Sequence, residues 1–94
     1  MIEYTHVDGE DKGPIRLYAL STCIWCRKTK KLLDKMKVAY DFVYTDLLDS
    51  DERHEVLDEV EKWNPRVSFP TVVIKEKTAV VGFKEDKIRK AIDE

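Results

Sequence analysis

The chain has 94 residues, 43% hydrophobic and 38% charged, with a formal net charge of −2. That is enough for one folded domain with a modest core and too little for two, and the composition is not that of a disordered chain. The slightly acidic balance gives nucleic acid no broad basic footprint, and no apolar run approaches the roughly 20 residues that cross a bilayer.

The opening Met1-Ile2-Glu3-Tyr4-Thr5-His6 lacks the basic and apolar regions of a signal peptide, which makes the cytoplasm the expected location. Residues 1–14 are polar, contain Asp8-Gly9 and Lys12-Gly13-Pro14, and read as a flexible lead-in to a single domain over 15–94. Ile15 to Leu20 reads as a strand, and Ser21-Thr22-Cys23 as a loop running into a helix. From Ile24 to about Met36 the residues Cys26, Thr29, Leu32, Leu33 and Met36 recur at helical spacing, while Arg27, Lys28, Lys30, Lys31 and Lys35 fill the other faces. Tyr40 to Thr45 is a second strand, rich in aromatic and branched residues. Asp49, Ser50 and Asp51 supply helix-start signals ahead of Val56, Leu57, Val60 and Trp63, and Asn64-Pro65 stops that helix. Pro70 to Lys75 and Thr78 to Val81 form a hairpin ended by Gly82, and Glu85 to Ile92 is a last short helix. The expected order is β-α-β-α-β-β-α. It describes an α/β domain with a four-stranded mixed sheet flanked by three helices, its first two strands parallel through a right-handed crossover.

Only two cysteines occur, in Cys23-Ile24-Trp25-Cys26. A disulfide between them closes a tiny loop and adds little stability, so the pair points to chemistry rather than stapling. Positions i and i+3 share a helix face, so Cys23 at the helix N-cap and Cys26 one turn on bring their sulfurs together. The unsatisfied amides and partial positive charge of the helix N-terminus favour thiolate at Cys23, the more exposed sulfur. Cys26 points back toward the sheet. Such a pair supports dithiol exchange: Cys23 attacks a disulfide, and Cys26 resolves the mixed disulfide. The competing use of Cys23-x-x-Cys26 is as half of a zinc site completed by His6 and His54 or by a second chain, although those histidines have no ligand-like spacing. Pro70 opens a strand that the topology brings near the cysteine loop. As a plain strand starter it needs no further role; with a cis Phe69–Pro70 bond, the backbone before it turns toward the cysteines and offers polar groups to an extended peptide.

With Cys23-Ile24-Trp25-Cys26, Ser68-Phe69-Pro70-Thr71 and Gly82-Phe83 in this order, the chain resembles the glutaredoxin family over about residues 15–92, and most the glutaredoxin-like redoxins of the NrdH type. The resemblance implies a thioredoxin fold and a thiol–disulfide oxidoreductase, an electron carrier. In it Cys23 is the nucleophile, Cys26 the resolving thiol and Pro70 cis, with Phe69 and Thr71 shaping the substrate groove. Glu85 and Asp86 match the acidic pair that begins the last helix and, in glutathione-using members, lies where the charged end of glutathione binds. Several positions depart from that pattern. Glutaredoxins of the common type carry Cys-Pro-Tyr-Cys, a Lys or Arg where this chain has Leu20, and Gly-Gly where it has Gly82-Phe83. The implied protein is a monomer with no tightly bound cofactor. Its electrons come from glutathione, another small thiol or a thioredoxin-reductase-type enzyme. Its partners are disulfide-containing proteins, with ribonucleotide reductase suggested by the resemblance alone. An iron–sulfur cluster held between two chains is the alternative use of the same thiolates.

Among the remaining residues, Trp25 is expected on the exposed rim as a partner contact, and Trp63 in the core. Thr22 either offers its hydroxyl to the site or merely ends the strand. The basic residues after Cys26 make a solvated helix face, with Arg27 and Lys28 near enough to Cys23 to support a thiolate or meet an acidic partner.

Overall fold

The computed structural model describes residues 2–94; Met1, the first residue of the lead-in, lies outside the described residues. The elements are β1 (Thr5–Val7), β2 (Ile15–Ala19), α1 (Ile24–Met36), β3 (Tyr40–Tyr44), a single 3₁₀ turn (Thr45–Leu47), α2 (Ser50–Trp63), β4 (Thr71–Ile74), β5 (Thr78–Val81) and α3 (Glu85–Asp93). The sheet order is β1-β3-β2-β4-β5. β2 and β3 are parallel, and the pairs β2–β4, β4–β5 and β1–β3 are antiparallel.

The two-residue period of the strands sorts the core into two layers. Ile15, Leu17 and Ala19 of β2 and Val72 and Ile74 of β4 face one side. There they meet Cys26, Leu32 and Leu33 of α1 and Ile88, Ala91 and Ile92 of α3. Tyr18, Val43 and Val73 face the other side and meet Val56 and Val60 of α2. Two helices on one face and one on the other cover a sheet that neither face alone could bury.

The sheet has five strands, not four, because Thr5–Val7 of the polar lead-in adds an edge strand to β3, in the register Thr5↔Phe42, His6↔Asp41 and Val7↔Tyr40. Three largely exposed residues carry too little periodicity to announce a strand; distant partners fix them. The Tyr4 hydroxyl donates to Glu59 on α2 at 3.0 Å, its ring meets Tyr18 edge-on at 6.3 Å, and His6 bonds Asp41 at 2.8 Å. Tyr18 also donates to Glu59 and accepts from Arg16, each at 3.0 Å. Burial pushes both phenols above their ordinary range. The rest of the lead-in runs close beside the end of α1. A Cβ on Gly9 would stand 2.5 Å from the Val38 carbonyl carbon, so glycine permits the Glu10–Val38 bridge.

Candidate active site

The parallel pair β2–β3 ends at one edge of the sheet, and the loops leaving it build the site. After β2 the chain turns on a bond from the Cys23 amide to the Leu20 carbonyl, 3.3 Å. Cys23, extended at φ −89° and ψ 122°, is the N-cap of α1, and its Sγ accepts from the Cys26 amide at 3.2 Å. Cysteine thus occupies the position usually held by a Ser, Asp or Asn oxygen, with its sulfur against the positive helix end. Cys23 is half-buried. Cys26 is 2% exposed and accepts at Sγ from the Leu20 amide at 3.5 Å. Burial, aided by the Cys23 sulfur, pushes the Cys26 thiol up to about 12. Both thiols are free. One sulfur can therefore meet a macromolecule, while its neighbour can reach only the first sulfur.

The Trp25 ring stands 53% exposed beside this pair, stacked on Phe83 at 6.3 Å and 22°, with Lys28 Nζ 4.8 Å from its centroid. A cavity of about 270 Å³ is lined by Trp25, Phe69, Pro70, Gly82, Phe83 and Lys84. The Phe69–Pro70 bond is cis. Gly82 has φ +83°, a conformation open to glycine at little cost, and its amide donates to the Pro70 carbonyl at 2.8 Å, which joins the two rims. Glu85 and Asp86 line an adjoining cavity with Phe83, Lys84 and Lys87, and Glu85 is held by Arg89 at 2.9 Å. Thr22 is exposed in the turn before α1. Thr71 is fully buried and donates to the Ser68 carbonyl at 2.7 Å, so its hydroxyl braces the loop from within. Trp63 is partly buried against the α2 layer.

Two organising residues carry no motif. Asp46, in the turn after β3, accepts from the Ser21 amide at 2.8 Å and the Ser21 hydroxyl at 2.5 Å, and so fixes the loop that presents Cys23. Those two bonds hold its carboxyl below the ordinary range. The signal for it is topological: an acid just past a strand parallel to β2 must reach the same edge. Asn64 is buried at the end of α2. Its amide donates to the Ser68 carbonyl, the Ser68 hydroxyl and the Thr71 hydroxyl, all within 3.1 Å, and holds together the loop that leads to Pro70. The dipeptide Asn64-Pro65 reads only as a helix stop, because those partners lie beyond it.

Among the described residues no group of three or more His, Cys, Asp or Glu side chains is placed to hold a metal ion. His6 bonds Asp41, and His54 stands 3.8 Å from Asp58. Among the described residues no helix is long and apolar enough to cross a membrane.

The sequence profile of the family described as Glutaredoxin matches residues 15–79. A glutaredoxin-like 8.6 kDa protein of the rubredoxin operon of Clostridium pasteurianum, itself uncharacterized, is 30% identical over 79 residues, 84% of this chain and 97% of the relative. Among solved structures, the glutaredoxin of Methanosarcina mazei Go1 is 48% identical with a TM-score of 0.89, over 97% of this chain and 88% of that one. The methanoredoxin of Methanosarcina acetivorans is also 48% identical, with a TM-score of 0.87 over 89% and 88%.

Proposed function

This chain belongs to the glutaredoxin family, whose fold and cysteine pair are those of thiol–disulfide oxidoreductases, and on that premise we propose that it reduces protein disulfides by a dithiol route through Cys23 and Cys26. The observation that carries this reading is the pairing of a half-exposed sulfur at the N-cap of α1 with a buried thiol one turn behind it. The Cys23 thiolate attacks one sulfur of the target disulfide. That bond breaks, a Cys23–target disulfide forms, and the leaving target thiolate takes a proton. Cys26 then releases its proton and attacks the Cys23 sulfur. The second target thiol departs, and the Cys23–Cys26 disulfide remains. Two electrons and two protons pass to the target, and an external dithiol or two monothiols return them.

Trp25, Phe69, Pro70, Gly82 and Phe83 form the groove against which the target lies, with Ser68 and Thr71 shaping it indirectly by bracing the loop that carries Phe69 and Pro70, Thr22 at the turn, and Glu85 and Asp86 at its far end. The donor is a small thiol or a thioredoxin-reductase-type enzyme. Leu20 and Phe83 stand where glutathione users carry a cation and a glycine, which favours the reductase. Ribonucleotide reductase is the first protein substrate to try.

Reduction of 2-hydroxyethyl disulfide by the pre-reduced protein, freed of excess reductant, tests the chemistry. Cys23→Ser loses all turnover, and Cys26→Ser accumulates a mixed disulfide visible by mass. Turnover that survives Cys23→Ser overturns the reading. Glutathione and NADPH with a thioredoxin reductase, run in parallel, identify the donor by which one releases free thiol from the oxidised protein.

A further inference from the structure

The net charge of −2 hides a separation. α1 carries five basic residues against one acidic, Asp34, a net of +4; α2, on the opposite face of the sheet, carries six acidic against two basic, a net of −4. Of the α1 cations, Lys30 pairs with Asp34 at 3.3 Å and lies over the rings of Tyr40 and Phe42. Lys28, Lys31 and Lys35 are exposed and have no carboxylate within ion-pair distance among the described residues. At i, i+3 and i+7 they form one stripe. They line a cavity of about 320 Å³ with Leu32, Phe83 and Glu85, whose carboxylate is already held by Arg89. Phe83 also lines the groove beside the cysteines, so the stripe continues that groove down the helix.

We infer that the stripe of Lys28, Lys31 and Lys35 is the docking surface for an acidic segment of the protein whose disulfide Cys23 attacks. The inference rests on the redox reading above and adds to it the character of the partner. Three clustered cations with no carboxylate partner, in a stripe that starts near the Cys23 end of α1, attract anionic chain, and the acidic α2 face turns such a partner toward the α1 side. The helix rise of 1.5 Å per residue places Lys28 and Lys35 roughly 7 and 18 Å along the axis from Cys23. An extended chain covers roughly 3.3 Å per residue. The acidic residues of the partner therefore fall about two to five positions from the cysteine under attack.

The test uses reduced protein in single turnover against three synthetic peptides. Each carries one cysteine as a mixed disulfide with 2-mercaptoethanol, and positions two to five after it are acidic, lysine or serine. At low ionic strength the acidic peptide is reduced about tenfold or more faster than the lysine peptide, with serine between them. The ratio collapses near 1 M salt, where the Debye length is about 3 Å. The pair Lys31→Glu and Lys35→Glu erases or inverts the ratio, while Lys62→Glu with Lys77→Glu, the same change in net charge placed elsewhere, leaves it. A ratio near one in the unaltered protein, or an equal response to both variant pairs, overturns the docking surface and leaves the chemistry standing. Failure to reduce 2-hydroxyethyl disulfide as well overturns the redox reading itself.

Discussion

α1 and α2 are 13 and 14 residues long and pack on opposite faces of one sheet. Their inner faces obey the same rule: Leu32 and Leu33 on one, and Val56 and Val60 on the other, vanish into apolar layers. Their ends and outer faces differ. α2 begins with Asp49, whose carboxylate accepts the Glu52 amide at 2.8 Å and is followed by Asp51 and Glu52, a first turn that suits the helix dipole. α1 begins with a sulfur and has no acid in its first turn. One helix spends its N-terminus on stability, while the other leaves it to the sulfur that the proposed exchange uses. The positive end that a carboxylate would neutralise is left facing Cys23.

That contrast can be broken first at the caps. Cys23→Ser keeps an oxygen cap on α1 and removes turnover to the limit of detection. Asp49→Ala leaves turnover in place and lowers stability by about 1 kcal/mol, read from urea midpoints. The inner faces are expected to respond alike. Leu33→Ala costs about 2–5 kcal/mol through the cavity it opens, and Val60→Ala roughly 2 kcal/mol for two lost methylenes and a smaller cavity. Equal sensitivity there, with unequal sensitivity at the caps, would place the functional difference outside the core. Asn64→Ala leaves Ser68 and Thr71 without their shared donor, at a cost of about 1–3 kcal/mol. Its turnover should fall further than that stability loss explains if the loop before Pro70 is part of the groove.

The pH responses are smaller and opposite in sign. Asp46 has its carboxyl lowered by the Ser21 bonds, so the folded chain holds this proton less readily than the unfolded one. Its contribution is complete above the ordinary value of 3.8 and is lost as pH falls through the folded value. Asp46→Asn should therefore differ from the unaltered protein at neutral pH and converge with it in strong acid. Cys26 is raised, so its contribution is complete below the ordinary value of 9.0 and is lost as pH rises toward about 12. In Cys23→Ser, thiolate absorbance should stay low through pH 9, and alkylation of Cys26 should be slow there in the folded state and fast in urea.

Much of the frame is legible in residue order. The apolar periods over Ile15–Leu20 and Ile24–Met36, and the turn signals at Asn64 and Gly82, lie in short windows where local chemistry decides the element. The short Cys23–Cys26 spacing likewise makes the N-cap geometry a local consequence. What escapes is long-range. Thr5–Val7 becomes a strand only because β3 offers an edge and Glu59 a partner to Tyr4. Asp46 matters through Ser21, 25 positions earlier, and Phe83 meets Trp25 only after the whole sheet has closed. The charge segregation is present in the sequence as a basic run and an acidic run; which faces they occupy follows from the handedness of the one parallel crossover, β2-α1-β3, which sets α1 on one face and leaves the other to α2.

β2 is the central strand, paired on both sides, and the cysteine loop leaves directly from its end. Amide hydrogen exchange should therefore be slowest at Leu17 and Tyr18 and fastest along β1 and β5, the short outer strands. Brief openings can peel either margin of the sheet from solvent inward and close again without moving the thiols. Protease nicking or thermal fraying at Thr5–Val7 or Thr78–Val81 would then precede loss of the cysteine pair's setting, and the last part of the molecule to unfold would be the part that holds Cys23.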